Sequence, residues 1–121
     1  MSTILKSIRS FKYAFRGLYF LFKVEHNISI HTFIAVVTVI LGFVIKISVN
    51  EWLLIILCIG LVFTAEAMNS AIEKMVDKIS PGQDVQAGMI KDLAAAGVLL
   101  AAIAAATTGF IIFIPKLITL L

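Results

Sequence analysis

The sequence predicts an all-α membrane protein with an N-terminal amphipathic surface helix followed by three transmembrane helices. The chain is 61% hydrophobic and 14% charged, whereas soluble domains are usually about 45–50% apolar and about 25% charged. Three apolar stretches, 30–49, 52–70 and 93–114, each approach the roughly 20 residues that a helix needs to cross a bilayer. Helices are the default in lipid because backbone polar groups must be paired there. The alternating segments of a membrane β-barrel are not visible, and we predict a single domain over residues 1–121.

The first element, residues 1–28, has one apolar and one basic face. Apolar residues recur at spacings of 4 and 3, at Ile4, Ile8, Phe11, Phe15, Leu18 and Phe22. The remaining arc carries Lys6, Arg9, Lys12, Arg16 and Lys23. This pattern is typical of a helix lying on an anionic leaflet with its apolar face down. The alternative is that the apolar stripe packs against the spans as ordinary core, and the two interpretations are compatible.

The basic residues predict the orientation of the spans. The chain has ten Lys and Arg residues against seven Asp and Glu. Five of the ten lie in the first 23 residues, and Lys74, Lys78 and Lys91 lie in one central segment. This clustering indicates membrane topology rather than nucleic-acid binding, and the positive-inside rule places the N-terminus and the 74–92 linker in the cytoplasm. Within that linker, Ser80-Pro81-Gly82 predicts a turn.

The third span is built from unusually small residues. Gly97, Ala101, Ala105 and Gly109 recur every four residues. Such a ridge lets helix backbones approach closely, which is a main source of helix association in lipid. Three helices make a thin bundle, so we expect some of the neighbours to come from other copies of the chain.

A polar stripe follows the second span, in the segment AEAMNSAIEKMVD. Glu66 and Glu73 lie about 20° apart around the helix and about 10 Å apart along it, with Asn69 between them. Asp77 continues the stripe by one turn. Ionisable residues near membrane depth are costly and usually functional. The structural alternative, pairing with one of the linker lysines, explains Asp77 well but explains Glu66 poorly, because Glu66 is the deepest and has no cation near it in sequence.

A second acidic segment, VEHNISIH, lies between the surface helix and the first span. It places Glu25 at the same interface as Glu73, and two carboxylates beside water suit Mg²⁺, which takes oxygen ligands and keeps waters and substrate phosphates. His26 and His31 flank Glu25 and raise zinc as an alternative. The single mid-span Cys58 and the absence of HExxH and CxxC patterns argue against zinc. Interfacial hydrogen bonding is the preferred interpretation of both histidines.

Lys91 and Asp92 stand at the cytoplasmic start of the third span and have two interpretations. They can anchor the helix at the interface, with the acid favourable to the helix dipole. Alternatively, Lys91 supplies a cation for phosphate beside the acidic stripe. The sequence has neither GxxxxGK[ST] nor GxGxxG, so any nucleotide site here differs from the common phosphate-binding loops.

Taken together, these motifs resemble the small integral-membrane bacterial diacylglycerol kinases and their undecaprenol kinase relatives. The resemblance rests on E-x-x-N-S-A-I-E-x-x-V-D over residues 66–77, on VEHN upstream and on IKDLAAAGVLLAAI downstream. It covers nearly the whole chain. It implies a homotrimeric, multi-pass enzyme of the bacterial inner membrane that uses Mg²⁺ and transfers the γ-phosphoryl group of ATP to the hydroxyl of diacylglycerol or undecaprenol.

The resemblance also implies roles for individual residues. Glu66 matches the general base of the family, and Asn69 matches a supporting polar residue of the catalytic site. Glu25 and Glu73 match the carboxylates that hold the metal. The implied ATP-binding residues are Lys6, Tyr13, Glu25, Glu73, Lys91 and Asp92. The chain departs from its relatives at Ile28-Ser29-Ile30, where an Arg is usual, and near Asp84, where a His is common.

A function of another class is also compatible with a buried acidic residue. In a proton- or ion-conducting oligomer Glu66 would be an intramembrane relay, and in a small scaffold the acidic stripe would dock a partner. Neither alternative explains why Glu25 and Lys91-Asp92 should lie at the same level. No residue in the sequence selects between diacylglycerol and undecaprenol as the acceptor.

Overall fold

The computed structural model describes residues 2–82 and 84–121. These residues form four helices and no strand: α1 (Ser2–Val24), α2 (Asn27–Ile45), α3 (Val49–Ile79) and α4 (Val85–Leu120). The last three are long and apolar enough to cross a membrane. The predicted fold class, an N-terminal helix followed by three membrane-spanning helices, is therefore confirmed.

The helices that carry the polar stripe and the Lys91-Asp92 pair continue past the apolar stretches. Helix α3 runs to Ile79 and α4 begins at Val85, so most of the 74–92 linker is helical. The chain turns at Ser80-Pro81-Gly82, as the sequence predicts. Asp84 then caps α4, because its Oδ1 accepts a hydrogen bond of 3.2 Å from the backbone N–H of Gln86. The polar residues on either side of the turn are consequently held on helices rather than on a loose loop.

Local signals also define the turn between α2 and α3. Lys46 ends α2 in the left-handed conformation, with φ 62°, and its N–H bonds to the carbonyl of Gly42. Ser48 and Glu51 form a reciprocal capping box at the start of α3, with bonds of 2.9 and 3.2 Å. Glu51 also forms an ion pair with Lys116 of α4, with 3.2 Å between Oε1 and Nζ. These contacts fix the end of the bundle that lies away from the 80–84 turn.

The main hydrophobic core lies at this same end. Its buried members are Ile47, Ile55, Ile112 and Phe113, and Trp52 packs against them. Helix α4 makes its most extensive contact with α3. The α3–α4 pair therefore has the most extensive packing between helices, and it carries the polar stripe at its opposite end.

Trp52 also packs against Gly42 of α2, and this contact leads to a stability prediction. A Cβ at Gly42 would lie 2.7 Å from Cη2 and 2.9 Å from Cζ2 of the Trp52 ring. We expect Gly42→Ala to lower the free energy of unfolding in detergent micelles by about 1–3 kcal/mol, because the ring must move out of its packed position. Gly60→Ala is the control, since a Cβ there meets no atom within 4 Å. Equal free energies of unfolding for the two variants would contradict the prediction.

Much of the apolar surface is not covered by the chain itself. Only 11%, 28% and 17% of the most apolar windows of α2, α3 and α4 are buried. On the small-residue ridge of α4, Ala101 is buried, whereas a Cβ at Gly97 would meet open space. The uncovered surface has the apolar character that lipid or further copies of the chain require.

Helix α1 contacts the bundle near its C-terminal end. Leu21 is the one buried residue among those described in α1, and the Phe22 ring packs on Phe63 of α3 with a centroid distance of 5.9 Å. The rest of its apolar stripe, including Ile4 and Phe11, is exposed. Within one chain this stripe is therefore not part of a core, and its apolar face is free to contact a membrane surface.

Candidate active site

Glu66 is the most deeply buried polar residue of the described chain, with 1% of its surface exposed. It faces His31 of α2, whose Nε2 lies 3.0 Å from Glu66 Oε1. The histidine is partly buried, with 20% of its side chain exposed. The carboxylate that lacked a cation nearby in sequence thus has a hydrogen-bond partner on a different helix.

One turn further along α3, Asn69 and Glu73 are joined directly. Asn69 Nδ2 donates a hydrogen bond of 3.1 Å to Glu73 Oε1. Three buried side-chain oxygens in this region have no hydrogen-bond partner among the described residues: Glu66 Oε2, Asn69 Oδ1 and Ser70 Oγ. Buried polar atoms are nearly always paired in native proteins. These three oxygens therefore lack the hydrogen-bond partner that burial normally requires.

Glu25 lies in the short connection between α1 and α2 and contacts the same level of α3. Its Oε1 accepts a hydrogen bond of 3.1 Å from Lys74 Nζ, and 17% of its side chain is exposed. Lys74 directly follows Glu73, so this ion pair brings the Glu25 segment beside the polar stripe. His26, in the same connection, is exposed and makes no side-chain capping bond to α2.

The carboxylates in this region are of the chemical type that Mg²⁺ takes as ligands. Among residues 2–82 and 84–121, no group of three or more His, Cys, Asp or Glu side chains could hold a metal alone. Mg²⁺ does not require such a cage, because it is commonly bound through one or two carboxylates, waters and substrate phosphates. Glu25 and Glu73 supply carboxylates of this kind, and the bare Oδ1 of Asn69 lies beside Glu73.

Lys91 of α4 forms an ion pair with Asp77 Oδ1 of α3. This contact is one of the pairings that the structural interpretation of Asp77 offered. The two helices border an open pocket of about 460 Å³ beside the Ser80-Pro81-Gly82 turn, lined in part by Val76, Gly88 and Lys91. Asp92 is exposed on the next position of α4. A phosphate that binds Lys91 has to compete with the Asp77 carboxylate.

Lys6 and Tyr13 lie on α1, and a single chain does not bring them to the polar stripe. Tyr13 is 62% exposed, and its ring lies under the Arg16 guanidinium at 5.7 Å. Helix α1 meets α3 at Phe22, which is nine residues after Tyr13 and therefore about 14 Å further along the helix. The proposed contacts of Lys6 and Tyr13 with ATP stay predictions.

Comparison with known proteins identifies the family. The family model described as prokaryotic diacylglycerol kinase matches residues 12–113. The chain belongs to this family. The prokaryotic diacylglycerol kinase resemblance inferred from the sequence is confirmed, and with it the classification as a lipid kinase and a multi-pass membrane protein. Membership of a kinase family favours an enzyme over the non-enzymatic conducting oligomer.

Three curated relatives of this kinase are similar over most of its length. It is 38% identical to the undecaprenol kinase of Bacillus subtilis over 109 residues, which are 90% of this chain and 89% of the relative. It is 35% identical to the diacylglycerol kinase of Synechocystis over 114 residues, 93% of this chain and 65% of the relative. The diacylglycerol kinase of Haemophilus influenzae is 34% identical over 94 residues, 78% and 80% of the two chains.

His31 is the residue of this kinase whose contact the sequence did not reveal. The sequence predicts only that His31 forms hydrogen bonds at the interface. In the structure its specific partner is Glu66. The two are separated by 35 positions, and no spacing rule joins residues of different helices. The available signal was indirect: His31 lies six positions after Glu25, in the segment that carries the second acid.

Proposed function

We propose that the chain transfers the γ-phosphoryl group of ATP to the hydroxyl of a membrane lipid, undecaprenol or diacylglycerol, at the cytoplasmic side of the membrane. The observation that carries this proposal is that one continuous helix holds two acids, the buried Glu66 and the more exposed Glu73. We assign Glu66 to the lipid hydroxyl. We assign Glu73, which is closer to the end of α3 and less buried, to the ATP-bound metal.

Glu66 is the proposed general base. Its Oε2 is buried and has no partner among the described residues, so this oxygen is free to accept a proton. As the O–H bond of the lipid breaks, the proton moves to Oε2 and the lipid oxygen forms a bond to the γ-phosphorus. The bond from that phosphorus to the β–γ bridging oxygen breaks, and ADP leaves with the electron pair. Asn69, one turn away, supports the site by holding the Glu73 carboxylate in place.

The remaining residues position ATP. We assign Glu25 and Glu73 to the metal, and Mg²⁺, when bound, offsets the negative charge of the β- and γ-phosphates. Lys91 lies in the second turn of α4, and exchange of its Asp77 partner for a phosphate would bring it into the site. Asp92, Lys6 and Tyr13 complete the proposed ATP contacts. Phosphoryl transfer depends mainly on positioning and charge stabilisation, which a set of fixed ionic side chains provides.

The proposal includes a homotrimer. Its support is the large apolar surface that one chain leaves uncovered, together with the open ridge position at Gly97. An assembly of this kind also offers Lys6 and Tyr13 of α1 a polar stripe on a neighbouring copy. The basic N-terminus and the 80–84 turn are assigned to the cytoplasmic side of a bacterial inner membrane by the positive-inside rule.

The direct experiment tests the acceptor as well as the reaction. Purified protein in liposomes is given γ-labelled ATP and Mg²⁺ with undecaprenol, with diacylglycerol, and with both together. Undecaprenol is the first acceptor to test, because the relative of that name is 38% identical over 90% of this chain. We expect label in the lipid fraction and a preference for one acceptor in the mixture. Absence of label with either lipid would overturn the proposed function.

A further inference from the structure

We propose that His31 is a positioning residue for catalysis, which holds Glu66 so that one defined oxygen accepts the proton of the lipid hydroxyl. This inference rests on the proposed function and adds a residue to it. The observation is the cross-helix contact of 3.0 Å between His31 Nε2 and Glu66 Oε1. It is the contact through which α2 reaches the most buried acid of α3.

The two oxygens of Glu66 are in different states. Oε1 is bonded to His31, whereas Oε2 is buried without a partner among the described residues. A buried carboxylate is costly unless its oxygens are hydrogen-bonded. A purely structural pair would satisfy both oxygens, because a bare one adds only a penalty. The free Oε2 is therefore better explained as an atom that accepts a hydrogen bond from the substrate. A lipid hydroxyl can donate such a bond.

The surroundings of His31 strengthen its contact with Glu66. His31 also lines an apolar groove of about 560 Å³ between α2, α3 and α4, and the other lining residues near it include Ala35, Val62 and Ala102. No charged side chain lines this groove among the described residues. Hydrogen bonds are electrostatically stronger in such a low-dielectric setting than in water. The imidazole thus has one strong polar partner, and that partner is the proposed base.

The geometry defines what each atom does. With Glu66 ionised, Nε2–H of His31 donates to Oε1 and restricts rotation of the carboxylate. The lone pairs of Oε2 then point to one place, where the lipid hydroxyl transfers its proton as its oxygen attacks the γ-phosphorus. His31 keeps its own proton throughout the step. Its contribution is orientation, and misplacement of a reacting group by about 1 Å can cost about 100-fold in rate.

The test compares His31→Ala, His31→Gln and Glu66→Gln in liposomes, with MgATP binding measured separately by calorimetry. We expect His31→Ala to lower kcat by about 100-fold while the KM for the lipid and the affinity for MgATP change by less than about threefold. His31→Gln should recover about tenfold of that loss, since its amide N–H can replace the donor. The double variant His31→Ala/Glu66→Gln should be no slower than Glu66→Gln alone, because the two residues act as a unit.

The matched control is His26→Ala, which removes an exposed imidazole from the connection between α1 and α2. This variant should leave kcat within about twofold of wild type. Wild-type kcat in His31→Ala, or multiplicative losses in the double variant, would overturn the inference while the proposed function stands. A wild-type enzyme that phosphorylates neither lipid would overturn both. If His31→Ala does not fold, His31→Gln against His31→Leu gives the same comparison, and equal kcat in these two would also overturn it.

Discussion

Glu66→Gln is expected to reduce kcat for lipid phosphorylation by about 10²–10⁴-fold, the range that general-base catalysis contributes. The amide keeps the size of the side chain and can still bond to His31 on α2, but it cannot accept the hydroxyl proton. Binding of MgATP should be nearly unchanged, because Glu66 is buried at 1% exposure, seven residues deeper on α3 than Glu73. The measurements are single-turnover rates in liposomes and calorimetric titration with MgATP.

Ser70→Ala is a suitable control for Glu66→Gln. Ser70 is buried on the same helix, and its Oγ has no hydrogen-bond partner among the described residues. Removal of this hydroxyl should leave the protein folded and kcat within a few-fold of wild type. Loss of MgATP binding in Glu66→Gln, equal to the loss of turnover, would contradict the assignment of Glu66 to proton transfer.

Glu73→Gln is expected to weaken MgATP binding by at least about tenfold, because it removes one of the two carboxylates assigned to the metal. The amide can still accept the hydrogen bond from Asn69 Nδ2, so the local packing of α3 should survive. Raising the Mg²⁺ concentration should recover part of the activity of Glu73→Gln and none of that of Glu66→Gln. This difference separates a binding role from a chemical one.

Glu51→Gln provides the comparison for a carboxylate outside the site. Glu51 pairs with Lys116 at the opposite end of α3, so its loss should lower stability without changing the affinity for MgATP. Unchanged nucleotide affinity in Glu73→Gln would contradict the proposed metal role. Equal weakening in Glu73→Gln and Glu51→Gln would show that the effect comes from a general loss of structure.

The sequence predicted those features that lie within one helix. Length and hydropathy define the apolar spans, and the 3.6-residue repeat places Glu66, Asn69 and Glu73 on one stripe, where the structure joins the last two directly. The Pro-Gly pair located the turn. Each of these inferences uses only the geometry of a single helix, which is nearly independent of the rest of the fold.

Contacts between helices were not predictable to the same degree. The pair His31–Glu66 depends on how α2 and α3 rotate against each other, and the pair Lys74–Glu25 depends on where the connection between α1 and α2 lies against α3. In lipid that rotation is set by packing and not by hydrophobic exclusion from water, so the pattern of apolar residues does not report it. Lys91–Asp77 is one of the three pairings that the sequence offered for Asp77, and it is the one that the structure contains.

The continuity of α3 predicts that activity depends on the thickness of the bilayer. Because Glu66 and Glu73 lie on one continuous helix, their separation along the helix axis is fixed, and in the proposed mechanism it sets the level at which the lipid hydroxyl must lie. We expect a thinner or thicker bilayer to shift the lipid hydroxyl relative to Glu66. We therefore expect turnover to depend on the acyl-chain length of the surrounding lipid.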